Sequence, residues 1–529
     1  MGEPMADSDI VKTLDTRWQL ISKLLFGKEI GGIEQYSEWL IENIESIGHR
    51  TSHSSGKEVI SAPTDYCKDS KWISFDEIDF NKKFEPLGID EVKDIDSIAN
   101  AISERISYTG NIFFGKCVGI EKSSNINDSF YLYNCGRFGN SKHLAYCTIG
   151  RQNEDCFGCN AISESVACIR CSRSHKNKRC LEVWMSQNSS DAYYSYGLNG
   201  CTNCMFCFNA RAKRNAIGNL ELAPFVYNAL KKELVSQMAD ELEKNKKLPS
   251  LLDIVARSKI GKVCEHYETQ KEQENNEDRI IEEAFGQTTN ILFGKKLRKI
   301  DEYSNWLGRH TRKVERVSSV LSGKAIFIPD YANYRKIPKD RLACTSEVVC
   351  SSAVSDEDLS WITFKNVHEK IGKIAIFDIE LMEGANSGLN DCAISVDSSN
   401  CYRSSVTEYS KFCGYCFWPR NCQHVFGCDS PFDSSFSINC YSCTQLTRCF
   451  EIDCCGYCSD LYFGHNCENV HQSMFCFNVK NRRNCIGNAQ YSQVEYLRIR
   501  NSLVSQIATE LEWKKELKLD IYNLGCRRI

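Results

Sequence analysis

The sequence predicts a mainly β chain with flanking helices (α+β), built as two tandem units of β-solenoid type. Three observations carry that expectation. They are a long internal repeat, a nine-residue rhythm of cysteines inside each copy, and helical periodicity at the ends of each copy.

The repeat is read by sliding the chain along itself. "MFCFNARAKRNAIGN" (205–219) falls on "MFCFNVKNRRNCIGN" (474–488) at an offset of 269, and "LVSQMADELE" (234–243) falls on "LVSQIATELE" (503–512). Nearer the start the offset is 267, where "LLFGKEIGGIEQYSEWL" (24–40) matches "ILFGKKLRKIDEYSNWL" (291–307). Aligning Trp72 with Trp361 between these anchors requires an insertion and a later compensating deletion. A tandem duplication accounts for the whole pattern, with a charged seam near 247–280. It divides the chain into a head (1–105), a β-solenoid (106–219), and a capping helix with linker (220–280). The second copy follows as a head (281–373), a β-solenoid (374–489), and a capping helix with tail (490–529).

The cysteine rhythm is clearest in the second copy. Cys413, Cys422, Cys440, Cys449, Cys458, Cys467, Cys476 and Cys485 are spaced by nine or eighteen, with one vacancy at Pro431. Nine residues make two and a half helical turns, so no helix presents these positions as one stripe. Stacked coils of nine or eighteen residues would do so. Three residues after each ladder position come Cys416, Val425, Ser434, Cys443, Ile452, Leu461, Val470 and Val479, a second column suited to a narrow interior. Asn421, Asn439, Asn466 and Asn484 precede ladder cysteines, and Asn tolerates the left-handed backbone of a coil corner. Only 9 prolines occur, as stacked strands require.

The first copy tests what the thiols are for. Its ladder reads Cys171, Cys180, Ser189, Leu198, Cys207, Ala216. A small buried side chain can be exchanged for Ser, Leu or Ala, whereas a metal ligand cannot. Packing is therefore the first reading, with no cofactor. The alternative is a zinc or iron–sulfur protein using C-x2-C pairs, its best four-thiolate set being Cys440, Cys443, Cys455 and Cys458. The corresponding residues of the first copy are Cys171, Ser174, Ser186 and Ser189. Disulfides between coils are a third option, poorly favoured because side chains stacked in parallel are badly aimed for bridging.

Helical spacing marks 16–27 and 33–48, echoed at 281–308. It also marks 221–247 and 490–518, the last two expected to cap the final coils and protect their edges.

Composition narrows the function. A net charge of −4 gives no bulk attraction to nucleic acid or anionic membranes. No run of eighteen apolar residues exists, so no membrane span is expected. The N-terminus lacks the basic and apolar regions of a secretory signal, which points to the cytoplasm or a virion and against secretion. HExxH, GxSxG and GxxxxGK[ST] motifs are absent, and an enzyme is not expected. Basic clusters at 173–179, 209–214 and 480–483, near Phe206, Phe208, Phe475 and Phe477, suit nucleic-acid binding as a lesser reading against solvated loops.

The arrangement of 466–496, with Cys476, Phe477, Asn481, Cys485, Asn488, Gln490, Tyr491, Ser492 and Glu495-Tyr496, resembles a family of uncharacterised Cys-rich repeat proteins. These occur in candidate-phylum bacteria and uncultured or large viruses, and the likeness covers about 100 residues of each half. The resemblance implies a solenoid and no particular chemistry. Family members often carry zinc-ribbon cysteines before the repeat. Here the first copy has Cys67 alone there, and Cys344 and Cys350 do not restore the site. The expected function is a non-enzymatic scaffold of a virion or large complex, with protein partners or self-assembly and no small-molecule substrate. "YSEWL" and "YSNWL" are its candidate partner surfaces.

Overall fold

The computed structural model describes residues 7–88, 90–259, 278–330, 334–348 and 353–526. Cys264, Cys350 and most of the charged seam lie outside them. The fold is mixed α+β, with parallel strands between helices. Six parallel strands close a ring in the order Lys142–Arg151, Glu154–Phe157, Val166–Ile169, Lys178–Trp184, Ser172–His175, Asn160–Ser163 and back to the first.

The register differs from the expected spacing of nine or eighteen. Cys156 pairs with Cys168, Cys168 with Cys180, and Phe450 with Tyr462. Each pairing joins residues twelve apart, not nine or eighteen. A second periodicity explains the discrepancy. Every third residue from Asn125 to Asn215, and again from Tyr409 to Asn484, has positive φ. The chain therefore turns a corner every three residues, and the residue after each corner points inward. Inward positions recur at all multiples of three, so cysteines nine apart lie on different walls, while stacked residues are twelve apart.

Left-handed backbone costs a non-glycine residue about 1 kcal/mol or more. Inter-strand hydrogen bonds offset it. Corner residues donate to a carbonyl thirteen positions back, as Arg170 N does to Phe157 O at 2.8 Å. Other residues donate eleven positions ahead, as Thr148 N does to Cys159 O at 3.0 Å. Asn421, Asn439, Asn466 and Asn484 all occupy corners, with φ of 52°, 52°, 49° and 55°, as expected of Asn. Both inward columns read from the sequence are buried, as are Ser189, Leu198 and Ala216 of the first half.

The end of the parallel stack in each half is closed the same way. The side chain of Asn219 accepts from Phe208 N at 2.9 Å and donates to Phe208 O at 2.9 Å. Asn488 does the same for Phe477, at 2.8 Å in both directions. One amide thus stands in for the missing next strand and blunts the edge. The helices Pro224–Asn245 and Gln493–Lys514 follow. The first lies against the last parallel strand of its half, Arg214–Ile217, and against the helix Asp7–Phe26. The second packs beside the helix Asp278–Phe293.

The heads do not cover only their own halves. The helix Asp7–Phe26 packs on the first-half strands through Trp18 and Phe157. Residues 59–110, however, join the core of the second half. There Tyr66, Trp72, Tyr108, His465 and Tyr522 form one aromatic cluster. Described residues between Ile326 and Ile379 join the core of the first half, with Phe377 against Tyr196 and Phe364 against Tyr194. Full burial of such a ring contributes about 1.5–3 kcal/mol, so each exchanged segment is firmly held.

Three expectations fail here. Trp72 is buried in a strand paired with Tyr108, whereas Trp361 is 78% exposed, so the two do not occupy matching environments. The stretch 33–48 is a short 3-10 turn and a five-residue helix, not one long helix. Tyr36, Trp39 and Leu40, with Tyr303, Trp306 and Leu307, are buried and cannot form a partner surface. The disulfide present is Cys67–Cys526, with a Cα separation of 6.1 Å. It joins the first head to the C-terminal tail and does not link stacked strands.

Candidate ligand-binding cleft

The interior thiols are engaged by the main chain. Most interior sulfurs donate to the carbonyl nine residues ahead, and several also accept the N–H twelve ahead. Cys147 Sγ accepts from Cys159 N at 3.3 Å and donates to Cys156 O at 3.3 Å. Serine substitutes directly, since Ser189 Oγ accepts from Cys201 N at 3.1 Å. Cys440, Cys443, Cys455 and Cys458 follow suit. Their sulfurs approach Cys449 O at 3.7 Å, Ile452 O at 3.8 Å, Gly464 O at 3.6 Å and Cys467 O at 3.6 Å. Burial pushes the Cys440 thiol up to about 12 and raises Cys443 and Cys455 well beyond the ordinary value. Cys458 goes the other way, favoured as thiolate by its hydrogen bond with Cys455.

Among the described residues, three or more potential ligand atoms lie within 4.8 Å of one another only at His143, Glu154 and Asp155. Asp155 already receives Arg17, with Nε at 2.7 Å from Oδ1 and Nη2 on Oδ2. That guanidinium neutralises the charge a cation would need.

A second cluster is fully buried. His465 Nδ1 lies 2.8 Å from Asp453 Oδ2, which resembles a catalytic dyad. The other ring nitrogen, Nε2, accepts from Thr109 N at 2.8 Å. That bond fixes the tautomer with the proton on Nδ1, donated to Asp453. Tyr66 also donates to Asp453 Oδ2. Both histidine nitrogens are occupied, so the pair holds the exchanged first head in place and offers no free base. The matching first-half residues are Trp184 and Tyr196, and Tyr196 OH donates to Asp378 O at 2.9 Å.

The third place is open. A cleft of about 570 Å³ lies between the two halves. One wall presents Arg151, Ser163, His175, Gln187, Asn199 and Arg211, consecutive in the parallel register. The other presents Glu383, Val396, Glu408 and Arg420, likewise consecutive. Asp378 and Glu380, at the end of the exchanged segment of the second half, form part of the lining. Burial raises each of these two carboxyls to about 7. Arg420 is held by Glu408 at 2.6 Å and stacks over Trp418 at 5.1 Å. Arg151, Arg173 and Arg211 have no ion-pair partner among the described residues. His175 Nδ1 lies 2.8 Å from Ser163 Oγ, and burial lowers its pKa. Tyr409 stands on the second wall with 56% of its surface exposed.

Two of the three basic clusters feed this cleft, through Arg173, His175, Lys176 and Arg211. In the third, Lys480 pairs with Glu468 at 2.6 Å. Phe206, Phe208, Phe475 and Phe477 are buried, so they offer no stacking platform to a nucleic acid. The cleft itself was not legible beforehand. Its residues form a column only when counted in twelves.

No known family, curated protein or solved structure matches the chain. Among the described residues, no helix is long and apolar enough to cross a membrane.

Proposed function

We propose that the chain is a non-enzymatic scaffold. In this reading two Cys-laddered β-solenoids of twelve-residue coils, derived from one duplicated unit, form a stiff body for assembly with protein partners, in a virion or a large complex. The carrying observation is the sulfur-to-main-chain pattern of the interior, where cysteine and serine play one role in both halves. Side chains so engaged act as fillers of a thin core, and function then belongs to the outer faces. Duplication is supported by the paired amide caps Asn219 and Asn488 and by terminal helices of 22 residues in each half.

Elemental analysis of the purified protein, alongside a Cys440→Ser/Cys443→Ser variant, tests the reading. A folded variant with no change in metal content is expected. Stoichiometric zinc or iron, lost with the two thiols, would overturn it in favour of a metalloprotein.

A further inference from the structure

The open cleft has features that the scaffold role does not use. Its walls are the faces of two parallel sheets, and strands in such sheets lie about 4.8 Å apart. The six-residue polar column of the first half therefore repeats at that pitch over about 24 Å. A regular array of this kind suits a linear ligand with a regular repeat.

Charge sets the ligand's class. Five basic and five acidic side chains line the cleft, the basic ones mainly on the first wall and the acidic ones mainly on the second. A polyanion such as nucleic acid would meet as many repulsive as attractive groups, and so would a polycation. A neutral ligand does not.

The mode of contact excludes a peptide strand. Within both walls the main-chain N–H and C=O groups are consumed in the parallel register, and the end strand Leu381–Glu383, paired on one side, would add a strand parallel to itself, across the column and not along it. Recognition must come from side chains. Gln187 and Asn199 carry amides with no hydrogen-bond partner among the described residues, each with donor and acceptor sides. Tyr409 adds an exposed ring with an apolar face. Hydroxyl groups that both donate and accept, spaced along a chain with flat apolar ring faces, complement this set. The volume lies within the range of small-molecule sites, about 300–1,000 Å³.

We infer that the cleft binds a linear, uncharged oligosaccharide, seated along the Arg151–Arg211 column with one sugar ring against Tyr409. This goes beyond the scaffold role and survives or fails independently of the thiol chemistry.

Isothermal titration of the full chain with cellohexaose, chitohexaose and maltohexaose tests the inference, with hexaglutamate and hexalysine as charged controls. Saturable binding of a neutral hexasaccharide is expected, little changed by high salt. The Gln187→Ala/Asn199→Ala variant and, separately, Tyr409→Ala should each weaken it by about tenfold, with circular dichroism confirming an unchanged fold. These positions are solvent-facing, so the variants keep the core intact. Failure of all three sugars to bind at millimolar concentration overturns the inference. So does binding indifferent to both variants, or tighter salt-sensitive binding of a charged peptide.

Discussion

Asn478 donates its side-chain amide to the main-chain carbonyl of Ser107 at 2.8 Å, and Asn209, 269 positions earlier, donates in the same way to Ile376 O at 2.9 Å. Each Asn closes an "MFCFN" motif, and each reaches a segment from the other half of the chain. The repeated pentapeptide is thus architectural. Its Cys faces the interior, its second Phe is capped by a downstream Asn, and its own Asn hooks the exchanged head. Further polar links cross the same junction. Arg312 binds Glu45 of the first head and Asp429 of the second half, and Asp429 also meets Arg137 of the first half at 3.5 Å.

The amide caps should be costly to remove. Asn488→Ala leaves Phe477 N and O buried without partners, and each such group costs about 1–3 kcal/mol. Urea unfolding should show a lower midpoint with an unchanged slope, and light scattering should show more self-association through the opened edge. Asn488→Asp is a sharper probe, since it restores the acceptor but not the donor.

The disulfide ties residues 459 positions apart, so its removal should loosen the whole chain. A typical native disulfide contributes about 2–4 kcal/mol. Cys67→Ser, or reduction of the wild-type protein, should lower the melting temperature. Limited proteolysis should then cut first within residues 59–110, the segment that the bond pins to Tyr522 and its neighbours. Cleavage at unrelated sites would contradict the assigned role.

Asp378 and Glu380 set a pH dependence. Their folded values are about 7, against ordinary values of 3.8 and 4.5. A carboxyl raised in this way binds more protons folded than unfolded, so stability falls as pH rises between the two values. Chemical denaturation should therefore give higher stability near pH 5 than near pH 7.5. At lower pH the trend must reverse, because carboxyls such as Asp155, held low by His143 and Arg17 against the cost of burial, become protonated. Asp378→Asn combined with Glu380→Gln should flatten the slope between about pH 4 and pH 7.

Interior thiols should tolerate small apolar replacements and reject charge. Cys467→Ala should cost about 1–2 kcal/mol, whereas Cys467→Asp buries a carboxylate and should prevent folding. Thermal melts compare the two directly. Equal damage from both would argue against an interior position.

Much of this was legible in the residues, and the limits are physical. Cysteines at multiples of three mark an inward column, and Asn before the ladder marks corners, because both follow from local backbone geometry. The twelve-residue spacing between paired strands was not legible. Nine, twelve and eighteen are all multiples of three, and only the pairing of Cys156 with Cys168 across strands chooses among them. Exchange of the heads left no local signal. Nothing near Thr109 announces that its N–H will meet His465, 356 residues away. The pairing of Cys67 with Cys526 was hidden for the same reason. The cleft draws on residues that look like ordinary solvated polar side chains until the register aligns them.

Thiol footprinting of the native protein tests the central claim most directly. Brief alkylation followed by mass spectrometry, with and without a chelator, ranks every cysteine by access. The account predicts that Cys117, only half-buried, reacts first, while Cys147, Cys413, Cys440 and Cys476 stay protected and the chelator changes nothing. Rapid labelling of those four, or their release by the chelator, would contradict it.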